Sequence, residues 1–148
     1  QTTFSKNGIS IKKTSKAIDR FNYNLSDYPD LALPIAVSCV GLGIDCELTG
    51  LESLKHKESD RLNCLKKELE KFNISSEVST NSMKIKGNQL LKSSSKMIKT
   101  YKDHRIAMSI APLIMKTKNI KFDDKLVVEK SYPLFWEDMK QLHFKMKL

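Results

Sequence analysis

Arginine is nearly missing from this chain of 148 residues: of its 26 basic residues only Arg20, Arg61 and Arg105 are arginine. Also missing is any apolar run near the ~18 residues that suggest a membrane-spanning helix, and no signal-peptide pattern opens the sequence. A helical membrane span is thereby excluded. Cysteine is sparse: Cys39, Cys46 and Cys64 are odd in number, follow no metal-ligand spacing, and two of them stand in apolar surroundings. That usage reads as buried thiols in a reducing, cytoplasmic setting, with neither metal nor cofactor. An initial methionine is absent as well. The chain opens at Gln1 inside what reads as a strand, which suggests a piece of a longer protein.

What is present is ordinary for a globular domain with a real core: 40% hydrophobic and 29% charged residues. A net charge of +9 favours anionic partners, nucleic acid among them. The lysines, however, are scattered along the whole chain and rarely alternate with aromatics. They read as compositional bias rather than a binding face, so neither nucleic acid nor membrane is expected as a partner.

Periodicity divides the chain into helices and strands of a mixed α+β fold. Thr2 to Ile11 reads as a hairpin around Asn7-Gly8. Phe21 to Leu25 alternates as a strand. Asp30 is a candidate N-cap for an apolar helix running to Val40, with Pro34 in its first turn and Gly41-Leu42-Gly43 ending it. Ile44 to Leu48 reads as a strand, and Leu62, Leu65, Leu69 and Phe72 as the buried face of a second helix. A hairpin is expected around Asn81-Ser82. Asp103 then starts a helix with Ile106, Ile110, Leu113 and Ile114 inward. Ile120 to Phe122 reads as a strand and Tyr132 to Leu142 as a last helix. The two halves also resemble each other. Ala32, Ile35 and Ala36 recur as Ala107, Ile110 and Ala111, while Lys57, Leu62 and Leu69 recur as Lys130, Phe135 and Leu142. A tandem of α/β units, approximately 1–75 and 76–148, accounts for that order.

Two of the three arginines fall in compact charged stretches, Lys57-Glu58-Ser59-Asp60-Arg61 and Asp103-His104-Arg105. Lysine suffices for solubility. Arginine adds a rigid planar fork that holds a carboxylate or phosphate by two parallel hydrogen bonds. Both stretches lie at helix starts, where backbone amides and the helix dipole favour anions. Each feature has a plainer reading: Asp103 as a cap only, and Arg61 paired with Asp60 or Glu58 on the surface for under ~1 kcal/mol. Taken together, two forks in a chain that otherwise avoids arginine point to a small bound anion.

Lys57-Glu58-Ser59-Asp60-Arg61-Leu62, Thr100-Tyr101-Lys102-Asp103-His104-Arg105-Ile106-Ala107-Met108 and Tyr28-Pro29-Asp30 resemble three signatures of the 5-enolpyruvylshikimate-3-phosphate synthases, also called 3-phosphoshikimate 1-carboxyvinyltransferases. The likeness runs from about Leu25 to the C-terminus. The resemblance implies a domain of tandem βαβαββ units in an inside-out α/β barrel or prism. It also implies transfer of the enolpyruvyl group of phosphoenolpyruvate to the 5-hydroxyl of shikimate 3-phosphate, releasing phosphate. On that pattern Arg61, Arg105 and Lys130 match contacts to phosphoenolpyruvate. Lys57 matches a lysine near both substrates, and Asp30 the carboxylate that takes the hydroxyl proton and holds the shikimate ring. Glu58 matches a carboxylate proposed to exchange a proton at the methylene carbon. His104 would orient Glu58 or touch the departing phosphate.

In that family the site lies between two domains, and the N-terminal domain's lysine, serines and arginines have no counterpart here. The chain is thus expected to be part of a C-terminal domain, holding half a site, inactive alone and open to dimerisation through an edge strand or apolar patch exposed by truncation. Two alternatives remain in view. One is a fragment of the sister UDP-N-acetylglucosamine enolpyruvyl transferase, which lacks this pairing of Lys-Glu-Ser-Asp-Arg with Asp-His-Arg. The other is a basic nucleic-acid-binding module.

Overall fold

A computed structural model describes residues 1–13 and 18–144 of the chain. Its first element is the expected hairpin, β1 (Thr2–Ser5) paired antiparallel with β2 (Gly8–Ile11). Phe4 faces Ile9 across it, and all eight strand residues are exposed.

The next run of elements is β3 (Arg20–Asn24), α1 (Ala32–Leu42), β4 (Asp45–Thr49), α2 (Arg61–Glu70), β5 (Ser76–Val78) and β6 (Ser82–Ile85). Together they follow the order βαβαββ. Strands β3 and β4 are parallel, β6 joins β4 antiparallel and β5 joins β6, giving a four-stranded sheet in the order β3-β4-β6-β5. The pleat sorts the side chains. Cys46, Leu48, Met83 and Ile85 are buried in the core shared with α1 and α2, and the other face carries Asp45, Glu47 and Lys84.

Leu62, Leu65, Leu69 and Phe72 are buried as their spacing predicts. Helix α1 ends on Gly43 in the left-handed conformation, the glycine-assisted stop that the sequence suggests. Gly50, at φ +76°, is demanded by contact: a Cβ there would fall 2.3 Å from Ser26 Oγ and 2.4 Å from Asn24 Oδ1. That close approach fixes the turn from β3 towards Asp30.

Beyond the sheet the chain forms α3 (His104–Ile110), which passes into a short 3₁₀ helix at Ala111–Met115 around Pro112, and then α4 (Phe135–Gln141). Ala107 and Ala111 pack in a second apolar cluster with Val128, Phe135 and Met139.

Three expectations need correction. Asp30 does not cap α1: Leu31 holds the cap position without any side-chain bond, because the Asp30 carboxylate is turned to arginines instead. Ile120 to Phe122 forms no strand, only one parallel bridge between Ile98 and Phe122, since among the described residues no further strand lies beside it to extend a ladder. The last helix begins at Phe135, after a turn closed by Phe135 N donating to Tyr132 O.

Candidate active site

Three loops bring the charged stretches to one place. Asp30 lies in the 3₁₀ turn Pro29–Leu31 that leads into α1. Lys57 to Asp60 end the 3₁₀ helix Glu52–His56 and cap α2, Asp60 accepting from Asn63 N. Asp103 caps α3 by accepting from the Arg105 amide at 3.0 Å.

Arg61 is the hub. Its side chain is 2% exposed, and its guanidinium reaches three carboxylates. Nε donates to Asp103 Oδ2 at 2.8 Å, Nη1 to Asp30 Oδ1 at 2.8 Å, and Nη2 to Glu58 Oε2 at 2.5 Å and Asp103 Oδ1 at 3.5 Å. Arg105 reaches the far oxygen of Asp30 through Nη2 at 3.1 Å, and Lys57 Nζ stands 4.0 Å from its near oxygen. Asp30 therefore bridges all three cations. Around it the side chains of Lys57, Glu58 and Arg105 stay about a third exposed while Arg61 and Asp103 are sealed beneath them. The plainer reading of Arg61 as a partner of Glu58 holds for the pairing but not for the surface, since the guanidinium is enclosed among three carboxylates.

Asp103 is 0% exposed. Burial pushes its carboxyl upward, but the Arg61 guanidinium, the Arg105 amide and the Ser59 hydroxyl outweigh that and hold it below the ordinary aspartate value. The spacing of residues shows its capping role. Its tie to Arg61 is seen only when the loops converge.

His104 is buried at the first position of α3, beside Asp103. Glu58 gives its carboxylate to Arg61. Lys130 stands apart, exposed in the turn between the 3₁₀ helix Leu126–Val128 and α4, and no ion pair among the described residues ties it to the cluster. Among the described residues no group of three or more His, Cys, Asp or Glu side chains is arranged to hold a metal ion. A concavity of about 510 Å³ on the outer face of the sheet shares no residue with this cluster; Arg20–Asp45 and Lys84–Glu47 ion pairs line it.

The cluster lies within the part of the chain that matches known proteins. The family described as EPSP synthase (3-phosphoshikimate 1-carboxyvinyltransferase) matches residues 3–139. The chain belongs to this family. It is 36% identical over 148 residues to the 3-phosphoshikimate 1-carboxyvinyltransferase of Bacteroides fragilis, covering 99% of this chain and 36% of that protein. The protein of that name from Saccharolobus islandicus is 35% identical over 126 residues, which are 84% of this chain and 30% of the relative. That from Syntrophobacter fumaroxidans is 27% identical over 143 residues, 96% and 33% of the two chains. The chain spans about a third of the length of these relatives. Membership in this family goes against the basic nucleic-acid module, and no described helix is long and apolar enough to cross a membrane.

Proposed function

We propose that this chain supplies part of the site of an enolpyruvyl transferase, which moves the enolpyruvyl group of phosphoenolpyruvate to the 5-hydroxyl of shikimate 3-phosphate. The observation that carries the reading is the convergence of Asp30, Lys57, Glu58, Arg61 and Arg105, from three separate loops, on one ion-paired cluster.

In the proposed reaction a proton is added at the methylene carbon of phosphoenolpyruvate, and the 5-oxygen attacks the neighbouring carbon as its own proton leaves. The resulting tetrahedral adduct then loses the methyl proton and the phosphate, restoring the double bond. Asp30 is assigned to the hydroxyl proton, a role that needs hydrogen-bond reach. Lys57, across from Asp30, supports charge on the attacking oxygen. Glu58 is assigned to the carbon-bound proton. Arg105 and Arg61 are assigned to the anionic groups of phosphoenolpyruvate, with Lys130 and His104 at the departing phosphate.

The relatives' greater length supports a partner domain that completes the site, so the 148 residues alone are expected to bind without turnover. Dimerisation through surfaces exposed by truncation belongs to the same proposal, and the free, buried thiols fit a reducing cytoplasmic setting.

The test is a two-dimensional NMR titration with phosphoenolpyruvate and then shikimate 3-phosphate, repeated for Arg105→Ala. Saturable shifts confined to residues near Arg61, Arg105 and Lys130, and lost in the variant, are expected. Shifts spread over all the lysines, or unchanged in the variant, would replace this reading with nonspecific charge binding.

A further inference from the structure

Helix α2 buries a second charge seven residues after Arg61. Glu68 is 0% exposed, lies on the same helix face and takes no part in the cluster described above. Its Oε1 accepts from the Tyr101 hydroxyl at 2.8 Å. Its Oε2 accepts from the Lys99 amide at 2.9 Å and from Lys71 Nζ at 2.5 Å. A buried carboxylate is a costly choice beside Leu65 and Leu69, where an apolar side chain would pack at no electrostatic cost. What the charge secures is the backbone on the other side.

That backbone is under strain. Tyr101 and Lys102 are consecutive side-chain-bearing residues at φ 55° and 57°, in the left-handed region that such residues seldom enter singly, let alone in pairs. The turn they make is what delivers Asp103 to Arg61 and Arg105 to Asp30. One helix face therefore grips the same loop at two points: Arg61 holds Asp103, and Glu68 holds Lys99 and Tyr101. Burial, reinforced by the neighbouring carboxylate, also pushes the Tyr101 phenol above its ordinary value, so it stays a donor.

We propose that Glu68 is a positioning residue, which through Tyr101 and the Lys99 amide locks the left-handed turn that sets Asp103 and Arg105 in place. It touches neither the anion nor the cluster. The consequence for anion binding rests on the reading given under Proposed function, but the positioning itself does not.

The experiment compares wild type, Tyr101→Phe and Glu68→Gln. It measures hydrogen exchange at Arg61 Nε–H, which donates to Asp103, and at the Arg105 amide, alongside the sheet amides of Leu48 and Met83. Tyr101→Phe removes one hydroxyl, so it carries the test if Glu68→Gln fails to fold. Exchange at Arg61 and Arg105 is expected to quicken by about tenfold while the sheet amides keep their protection, and half-saturation by phosphoenolpyruvate to rise by about the same factor. Unchanged exchange at Arg61 and Arg105 in Tyr101→Phe would overturn the proposal. An equal loss across the sheet would also overturn it, by reducing Glu68 to general stability. If wild type binds no phosphoenolpyruvate, the anion-site reading fails, while the exchange measurement still decides the role of Glu68.

Discussion

Between Arg20 and Ile85 the backbone closes a four-stranded ladder, whereas between Ile98 and Gln141 a similar order of helices hangs on one parallel bridge, Ile98 to Phe122. In the first region the strands support one another, because the β5–β6 hairpin extends the sheet beside β4. The second region has no such hairpin, and side chains do the joining. Asp123 Oδ1 accepts from both the amide and the hydroxyl of Thr100 at 2.9 Å, and Trp136 Nε1 donates to Lys125 O at 2.7 Å. The candidate site straddles the two: Asp30, Lys57, Glu58 and Arg61 belong to the first region, Asp103 and Arg105 to the second. Its precision therefore depends on the weaker region's ties as much as on the sheet.

The sharpest way to break this contrast is to remove the joint. Arg61→Met strands the fully buried Asp103 without its guanidinium, and a loss of about 3–5 kcal/mol is expected. Urea unfolding followed by tryptophan emission measures it, because Trp136 is the chain's single tryptophan and lies in the second region. A result within error of wild type would mean that the regions are not coupled through this residue.

Asp103→Asn is next, at about 1.5–3 kcal/mol near neutral pH, the range for hydrogen bonds to charged groups. The Asp103 carboxyl is held below its ordinary value in the fold. Its contribution is thus complete above the unfolded value of ~3.9 and is lost as pH falls from there through the lowered folded value. The wild type and Asp103→Asn unfolding midpoints are accordingly expected to converge below about pH 4. A gap that stays constant from pH 7 to pH 3 would contradict the charge-based tie.

Asp123→Ala sharpens the comparison further. It removes two hydrogen bonds on Thr100 and is expected to cost about 1–3 kcal/mol, with faster amide exchange from Ile98 to Arg105 and little change in β3, β4 and β6. The smallest effect is expected inside the ladder. Ser76 Oγ in β5 is buried with no hydrogen-bond partner among the described residues, so Ser76→Ala should leave the unfolding midpoint unchanged or raise stability by up to about 1 kcal/mol. A clear loss there would show that the sheet tolerates less than its hydrogen bonding suggests.

The contrast also explains what could be read from the sequence. The hairpins, α1, α2 and the start of α3 were legible because apolar spacing and turn residues agree there and the tertiary fold does not override them. Ile120-Lys121-Phe122 alternates as well as any of the strands, but alternation cannot reveal that no second strand will lie beside it. Asp30 follows a proline and precedes a helix, a context equally suited to a cap; only the arrival of Arg61 and Arg105 decides its partners. The clustering of scarce arginines pointed to the candidate site. Glu68 left a fainter sign, a charged residue between the buried Leu65 and Leu69, and its partners lie across a turn whose left-handed backbone no residue type in Thr100-Tyr101-Lys102 announces.

One consequence of the Arg61 fork concerns how any anion would meet it. The guanidinium already has Asp30, Glu58 and Asp103 as internal ligands, so an incoming carboxylate or phosphate would compete with groups that the same chain tethers beside it. Its apparent dissociation constant equals the intrinsic one divided by the fraction of molecules whose fork has been vacated. In this respect the protein would be its own competitive inhibitor, and selectivity would lie in which anions can displace those three carboxylates.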